Sequence, residues 1–192
     1  MTLSLAQARA IIDAALAKAR ADDAQPLAVI ILDTGAHPVA FAREDGASLF
    51  RFDIAKAKAS GALGMGADTR VLAARAASNP VFFQSIAAAT GQLAFSPGGV
   101  LIRDADGTLI GAVGISGDTG ECDEACAIAG IDAAGFHRGV GIGQGRGDLV
   151  RGDAQCGQLR LIDLHQNAFF LYPGDLHFAD AICSEQGAAQ VL

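Results

Sequence analysis

Residues 98–130, GGVLIRDADGTLIGAVGISGDTGECDEACAIAG, constrain this chain more than any other stretch. GVLIRD and LIGAVGIS are apolar runs of strand length, and Ala105-Asp106-Gly107 between them is a tight turn in which Gly107 can supply positive φ. Ser116 to Asp118 can then cap a helix written GECDEACAIAGIDAAGF. A hairpin that hands over directly to a helix must bury its apolar residues against further elements, so the rest of the chain has to provide a sheet and a covering layer.

The upstream sequence provides both. Ser4 followed by Gln7 has the form of a capping box, and Leu5, Ala8, Ile12, Leu16 and Ala19 recur at helical spacing, which predicts an opening helix packed by that face on a sheet. PLAVIILD is the nearly continuous apolar run of a strand covered on both sides, and TGAH turns it into PVAFAR, a second hairpin. In SLFRFDIAKAKASGALG, Phe52, Ala55, Ala59 and Ala62 fall on one helical face, with Ser60-Gly61 weakening the middle. Asp68 or Thr69 caps a short helix through Ala77, and Asn79-Pro80 caps and starts another, VFFQSIAAAT. The order α, β, β, α, α, α, β, β, α over residues 1–138 predicts an α/β fold with an antiparallel sheet and helices segregated around it.

A chain of 192 residues can bury one sizeable core, which suits one domain with an elaboration. After His137 the texture changes to a glycine-alternating run, RGVGIGQGRGDLVRGDAQCG. Residues 139–192 therefore read as an extension, with strand-like stretches at 159–164 and 168–172, that adds to the sheet or reaches a neighbouring subunit. The apolar share of 51% is carried largely by alanine, with no Trp and one Tyr, so the interior is one of small, tightly packed residues. Fourteen Lys and Arg against twenty-one Asp and Glu give a net charge of -7, which argues against a nucleic-acid surface. No apolar run approaches the ~20 residues of a spanning helix, and the N-terminus lacks the pattern of a signal segment. The expectation is a cytoplasmic protein without membrane or nucleic-acid partners.

Several motifs fail on spacing. Gly139 to Gly147 alternate as G-x-G-x-G and never as the dinucleotide fingerprint, GISGD lacks the last glycine of a nucleophile elbow, and DADG lacks the later ligands of a calcium loop. Cys122 and Cys126 share a helical face and either pack as small hydrophobes or join a soft-metal site; without a second pair, packing is the reading and no metal site is expected. Among His37, His137, His165 and His177, His37 is favoured as a ligand because it lies on a loop. Lys58, set among Ala, Ser and Gly, can direct its ammonium at a bound carboxylate or propionate, or can simply be solvated. Gly98-Gly99 and Ser116-Gly117 bracket one hairpin; they are either turn and cap residues or the exposed backbone of a cleft that admits an anion.

GGVLI followed by GAVGISGDTGECDEACAIAG resembles the signature of the GlcG/HbpS-like haem-binding family, also seen as the C-terminal domain of PduO-type cobalamin adenosyltransferases. AVIILDTGAHPVAFARED is similar to the family's V-V-D-x-x-G then R-x-D, and IAKAKASGA to its I-A-x-x-K-A-x-T-A; the resemblance runs from residue 3 to about 136. It implies a profilin-like sandwich with a central antiparallel sheet, homo-oligomeric assembly, and haem as ligand, in haem handling or redox sensing. The family-like positions are Asp33, Gly35, Arg43, Asp45, Lys58, Gly98, Gly99, Gly111, Gly114, Ser116, Gly117 and Asp123. Leu101 stands where the family commonly has proline, and Gly61 where Thr or Ser often precedes alanine.

Two functions share these residues. As a haem-binding protein, the chain would use an apolar slot near the Gly98 to Ser116 hairpin, Lys58 or Arg43 for the propionates, and His37 as axial ligand. As a catabolic enzyme hydrolysing or isomerising a small anionic carboxylate, it would hold the substrate with Lys58 and Arg43. Backbone at Gly98-Gly99 and Ser116-Gly117 would stabilise an oxyanion, and Asp123 or Asp33 would move protons. A scaffold subunit that merely assembles is the third reading. The candidate site residues are thus Lys58, Ser116 and Asp123 for catalysis, and Asp33, His37, Arg43, Lys58, Gly98, Gly99, Ser116 and Gly117 for ligand binding.

Overall fold

A computed structural model describes residues 2–138. The extension expected at 139–192, with its two strand-like stretches and with His165, His177, Cys156 and Cys183, lies outside the described residues.

The chain opens with α1 (Leu5–Ala21), whose capping box forms as expected between Ser4 and Gln7. A hairpin follows, β1 (Ala28–Leu32) and β2 (Pro38–Arg43), then three helices, α2 (Arg51–Met65), α3 (Thr69–Ser78) and α4 (Pro80–Thr90). The second hairpin, β3 (Gly99–Arg103) and β4 (Leu109–Ser116), leads into α5 (Gly120–Ala133), and β5 (His137–Arg138) closes the described chain. The strands form one antiparallel sheet in the order β2-β1-β4-β3-β5. The element order read from the sequence and the antiparallel sheet are borne out; β5, which the sequence does not announce, adds a short edge beside Ile102 and Arg103.

The sheet is the middle of three layers. β1 is wholly buried because its alternate side chains serve two cores: Val29 and Ile31 face α1 and α5, while Ile30 and Leu32 face α2. The inward face of α1 is Ala8, Ile11, Ile12, Ala15 and Ala19; Leu5, expected there, is 48% exposed because it sits in the first turn, past the rim of the core. Helix α2 runs unbroken through Ser60-Gly61 and lays Ala55, Ala59 and Ala62 on the sheet. Its backbone comes close enough that a Cβ on Gly114 would collide with the Ala55 carbonyl, and one on Gly99 with the Lys58 carbonyl. The alanine-rich composition therefore has a structural use: small residues on helix and sheet bring two backbones into direct contact.

Two capping expectations need correction. Helix α5 is capped by Thr119, whose Oγ accepts from the Cys122 N–H at 3.3 Å, and not by Ser116 to Asp118; Ser116 is the last residue of β4. Asp68 stands at the N-cap of α3, yet its carboxylate accepts from the Leu101 N–H at 2.8 Å, beside Thr69, whose Oγ accepts from the Gly99 N–H at 2.8 Å. These two side chains take up outward N–H groups of β3 that β5 is too short to reach. Asn79, by contrast, caps α4 as expected.

Candidate functional site

The predicted site residues separate into groups because of strand register. Ala28 of β1 pairs with both Arg43 and Ser116, whereas Leu32 pairs with Pro38 and Ala112. Arg43 and Ser116 therefore lie at one end of the sheet and Asp33 and His37 at the other, with Ala28 and Leu32 four residues or roughly 13 Å apart along the strand, while Gly99, paired with Gly114, is level with Ile30 between them. One slot using His37 together with Lys58 or Arg43 is not assembled.

At the first end the hairpin glycines and Ser116 do meet, and protein atoms fill the space between them. Lys58 Nζ donates to Asp123 Oδ2 at 2.7 Å, with the side chains 3% and 2% exposed. Gly98, at φ +119°, makes room for this pair: a Cβ there would stand 2.9 Å from the ammonium and 2.8 Å from Asp123 Cβ. Asp123 Oδ1 accepts from the Asp118 N–H at 3.1 Å, and Ser116 Oγ accepts from Arg51 Nη1 at 3.3 Å. Burial pushes the Asp123 carboxyl above its ordinary value, and the Lys58 charge and the Asp118 N–H only partly pull it back. Gly117 packs on Leu27 and the Pro26 carbonyl. The N-terminal turn of α5 is already supplied with Asp118, Glu121 and Asp123, the chain's own anions. The Lys58 ammonium is thus held by a carboxylate within the protein and turned away from solvent.

Arg43 is exposed at the end of edge strand β2. It lines an open groove of about 480 Å³ with Arg20, Glu44 and Asp45, where Arg20 Nε already binds Glu44 at 3.0 Å. Cys122 and Cys126 pack against α1; Cys126 is fully buried, and burial pushes its thiol up to about 12. No group of three or more potential metal ligands occurs among the described residues.

The other end has a different character. Asp33 Oδ1 accepts from the Gly35 N–H at 2.8 Å and the His37 N–H at 2.9 Å, and these two donors, His37 first, hold the carboxyl below its ordinary range. His37 Nδ1 lies 3.4 Å from the same oxygen. That orientation leaves Nε2 for a ligand, the usual division of labour when a carboxylate positions a metal-binding imidazole. Gly35 of this turn lines a groove of about 430 Å³ together with Ser60, Leu63 and Met65 of α2, Ile86 of α4, and Leu93. Its walls are mainly apolar, its size falls within that of small-molecule pockets, and the Ser60 Oγ buried there has no hydrogen-bond partner among the described residues.

Sequence reasoning singled out Asp33 and His37 but not the wall of the groove beside their turn. Ser60, Leu63 and Gly64 repeat at helical spacing on the side of α2 away from its alanine face, a legible stripe, but Ile86 and Leu93 join it only through the packing of α4 and the following loop. Arg51 and Asp118, which complete the buried cluster at the opposite end, carried no spacing signal.

No curated protein matches the chain. Among solved structures, the haem complex of PduOC is 26% identical, covering 71% of this chain and 98% of that one with a TM-score of 0.65. A double mutant of Streptomyces reticuli HbpS is 29% identical, covering 69% and 86% with a TM-score of 0.61. Klebsiella pneumoniae protein ORFY, 24% identical over 70% and 92% with a TM-score of 0.64, shares the fold. The model of one family, described as haem degrading protein HbpS-like, matches residues 3–132, and with most of the described domain inside that match the chain belongs to the HbpS-like family.

Proposed function

We propose that this protein binds haem, in the groove between the β1–β2 turn, α2 and α4, with His37 as axial ligand. The observation that carries the reading is that the turn holding an imidazole oriented by Asp33 also lines, through Thr34, Gly35 and Ala36, a mainly apolar groove of about 430 Å³. The family, and the haem bound by PduOC, support the same ligand.

The residues present fit such a group. Leu63, Met65, Ile86 and Leu93 offer the apolar walls a porphyrin face needs, Gly64 faces open space, and Gly35 leaves room for the His37 ring. His37 contributes a nitrogen ligand, and Asp33, kept ionised by its two N–H donors, orients the ring and strengthens it as a donor. Haem held here would supply a redox-active iron to a haem-handling or sensing role. The chain's own part is to exclude water from the ring faces and to fix the imidazole. A cytoplasmic homo-oligomer is part of the same proposal, supported by free Cys122 and Cys126 and by exposed Phe41, Leu49 and Phe50.

Haemin titration followed at the Soret band tests the site. Saturable, stoichiometric binding is expected in the wild type and in Arg43→Ala, which alters the other end of the sheet. His37→Ala is expected to weaken binding by about tenfold or more and to shift the band. Non-saturating association in the wild type, or an unchanged spectrum and affinity in His37→Ala, would refute the proposal.

A further inference from the structure

Ser60 is an anomaly among the helical hydroxyls of the described residues. Ser78, Ser85 and Thr90 each donate to the carbonyl four residues back, at 3.2, 2.8 and 2.9 Å. Ser60 does not; its Oγ is shielded from solvent, lies on the groove and is unpartnered among the described residues. A buried hydroxyl without a partner is costly, so its persistence in a groove wall points to an acceptor that arrives with a ligand.

The neighbouring turn indicates what sort of acceptor. A helical side chain covers the turn N-terminal to its own Cα, so the Ser60 hydroxyl lies over the turn that carries Lys56. Lys56 is half-buried, and no carboxylate of the described residues is within ion-pair distance of it. Lys58, two positions on, projects from another side of α2 and is bound to Asp123. The β1–β2 turn, which lines the groove with Thr34, Gly35 and Ala36, carries the Asp33 carboxylate on the Gly35 N–H, so an anionic substituent of a ligand is repelled from that side and drawn to the other.

We infer that Lys56 and Ser60 form a carboxylate-recognition end of the groove, opposite His37, which receives a propionate of the porphyrin. Lys56 supplies the charge and Ser60 a directed O–H donor. This rests on the haem reading and assigns to it an orientation and a ligand requirement: a flat apolar ring bearing a free carboxylate.

Haemin and its dimethyl ester, titrated separately into the wild type, Lys56→Gln and Ser60→Ala, test the inference. In the wild type the free acid is expected to bind about tenfold more tightly than the ester. Lys56→Gln should collapse that ratio towards one and Ser60→Ala should reduce it, with ester affinity little changed in both. Unliganded Ser60→Ala should melt at or above the wild-type temperature, since only an unpaired hydroxyl is removed. Equal wild-type affinity for acid and ester, or a ratio unaltered in both variants, would overturn the carboxylate end while leaving haem binding intact. A lower melting temperature for Ser60→Ala would show its hydroxyl to be bonded already and would overturn it too. Saturable binding of neither compound would overturn both proposals.

Discussion

Replacing Lys58 with Met leaves the Asp123 carboxylate in the same buried place, 2% exposed, without the ammonium that now sits 2.7 Å away. Removing one partner of a buried pair costs about 3–5 kcal/mol, because the remaining charge is desolvated and uncompensated. In a domain of this size that corresponds to a fall in Tm of roughly 10–20 °C. The loss depends on pH with a definite sign. Burial already holds the folded Asp123 carboxyl above its unfolded value, and the Lys58 charge opposes that shift, so Lys58→Met raises the folded value further. A carboxyl raised by folding stabilises most in acid, and that contribution is lost as pH rises through the folded value. The gap between variant and wild type should therefore be small near pH 4 and largest near pH 8. Urea unfolding across that range measures it, with Lys58→Met/Asp123→Asn expected to recover to within about 2 kcal/mol of the wild type. A loss under about 1 kcal/mol at neutral pH, or one that does not shrink in acid, would refute the argument that the pair is a buried structural bond.

Two further outcomes follow from the packing. Gly114→Ala places a methyl group against the Ala55 carbonyl, so α2 must lift from the sheet; a destabilisation of about 1–3 kcal/mol is expected in urea unfolding. Burial raises the Asp68 carboxyl from 3.8 to about 6, against the opposing Leu101 N–H, so its share of stability falls as pH rises from about 4 to 6. Asp68→Asn keeps an acceptor for that N–H without the charge; it should flatten this part of the curve and gain up to roughly 3 kcal/mol at pH 7.

Much of the fold follows from local chemistry in the sequence. The Ser4–Gln7 box, the Asn79-Pro80 start and Gly107 in the hairpin turn act within a few residues, so their outcome is written where they stand. The unbroken apolar run of β1 likewise announces two covered faces, since a strand's side chains alternate and both sets must be buried. The family resemblance is legible for the same reason: its glycines and alanines mark positions where backbones touch.

What the sequence left open depends on partners distant along the chain. Lys58 and Asp123 are 65 residues apart, and only the approach of α2 to β3 over Gly98 and Gly99 turns a lysine available for a ligand into half of a buried pair. The same holds for Asp68, which by sequence is a helix cap and in the fold closes the edge of β3. Strand register, a property of the assembled sheet, puts His37 and Arg43 at opposite ends though six residues separate them. Composition and periodicity determined which surfaces had to be buried. The tertiary structure decided which polar groups neutralise one another there, and which, like the Ser60 hydroxyl, have no partner among the described residues, because hydrogen bonds and ion pairs act over a few ångströms of space rather than along the chain.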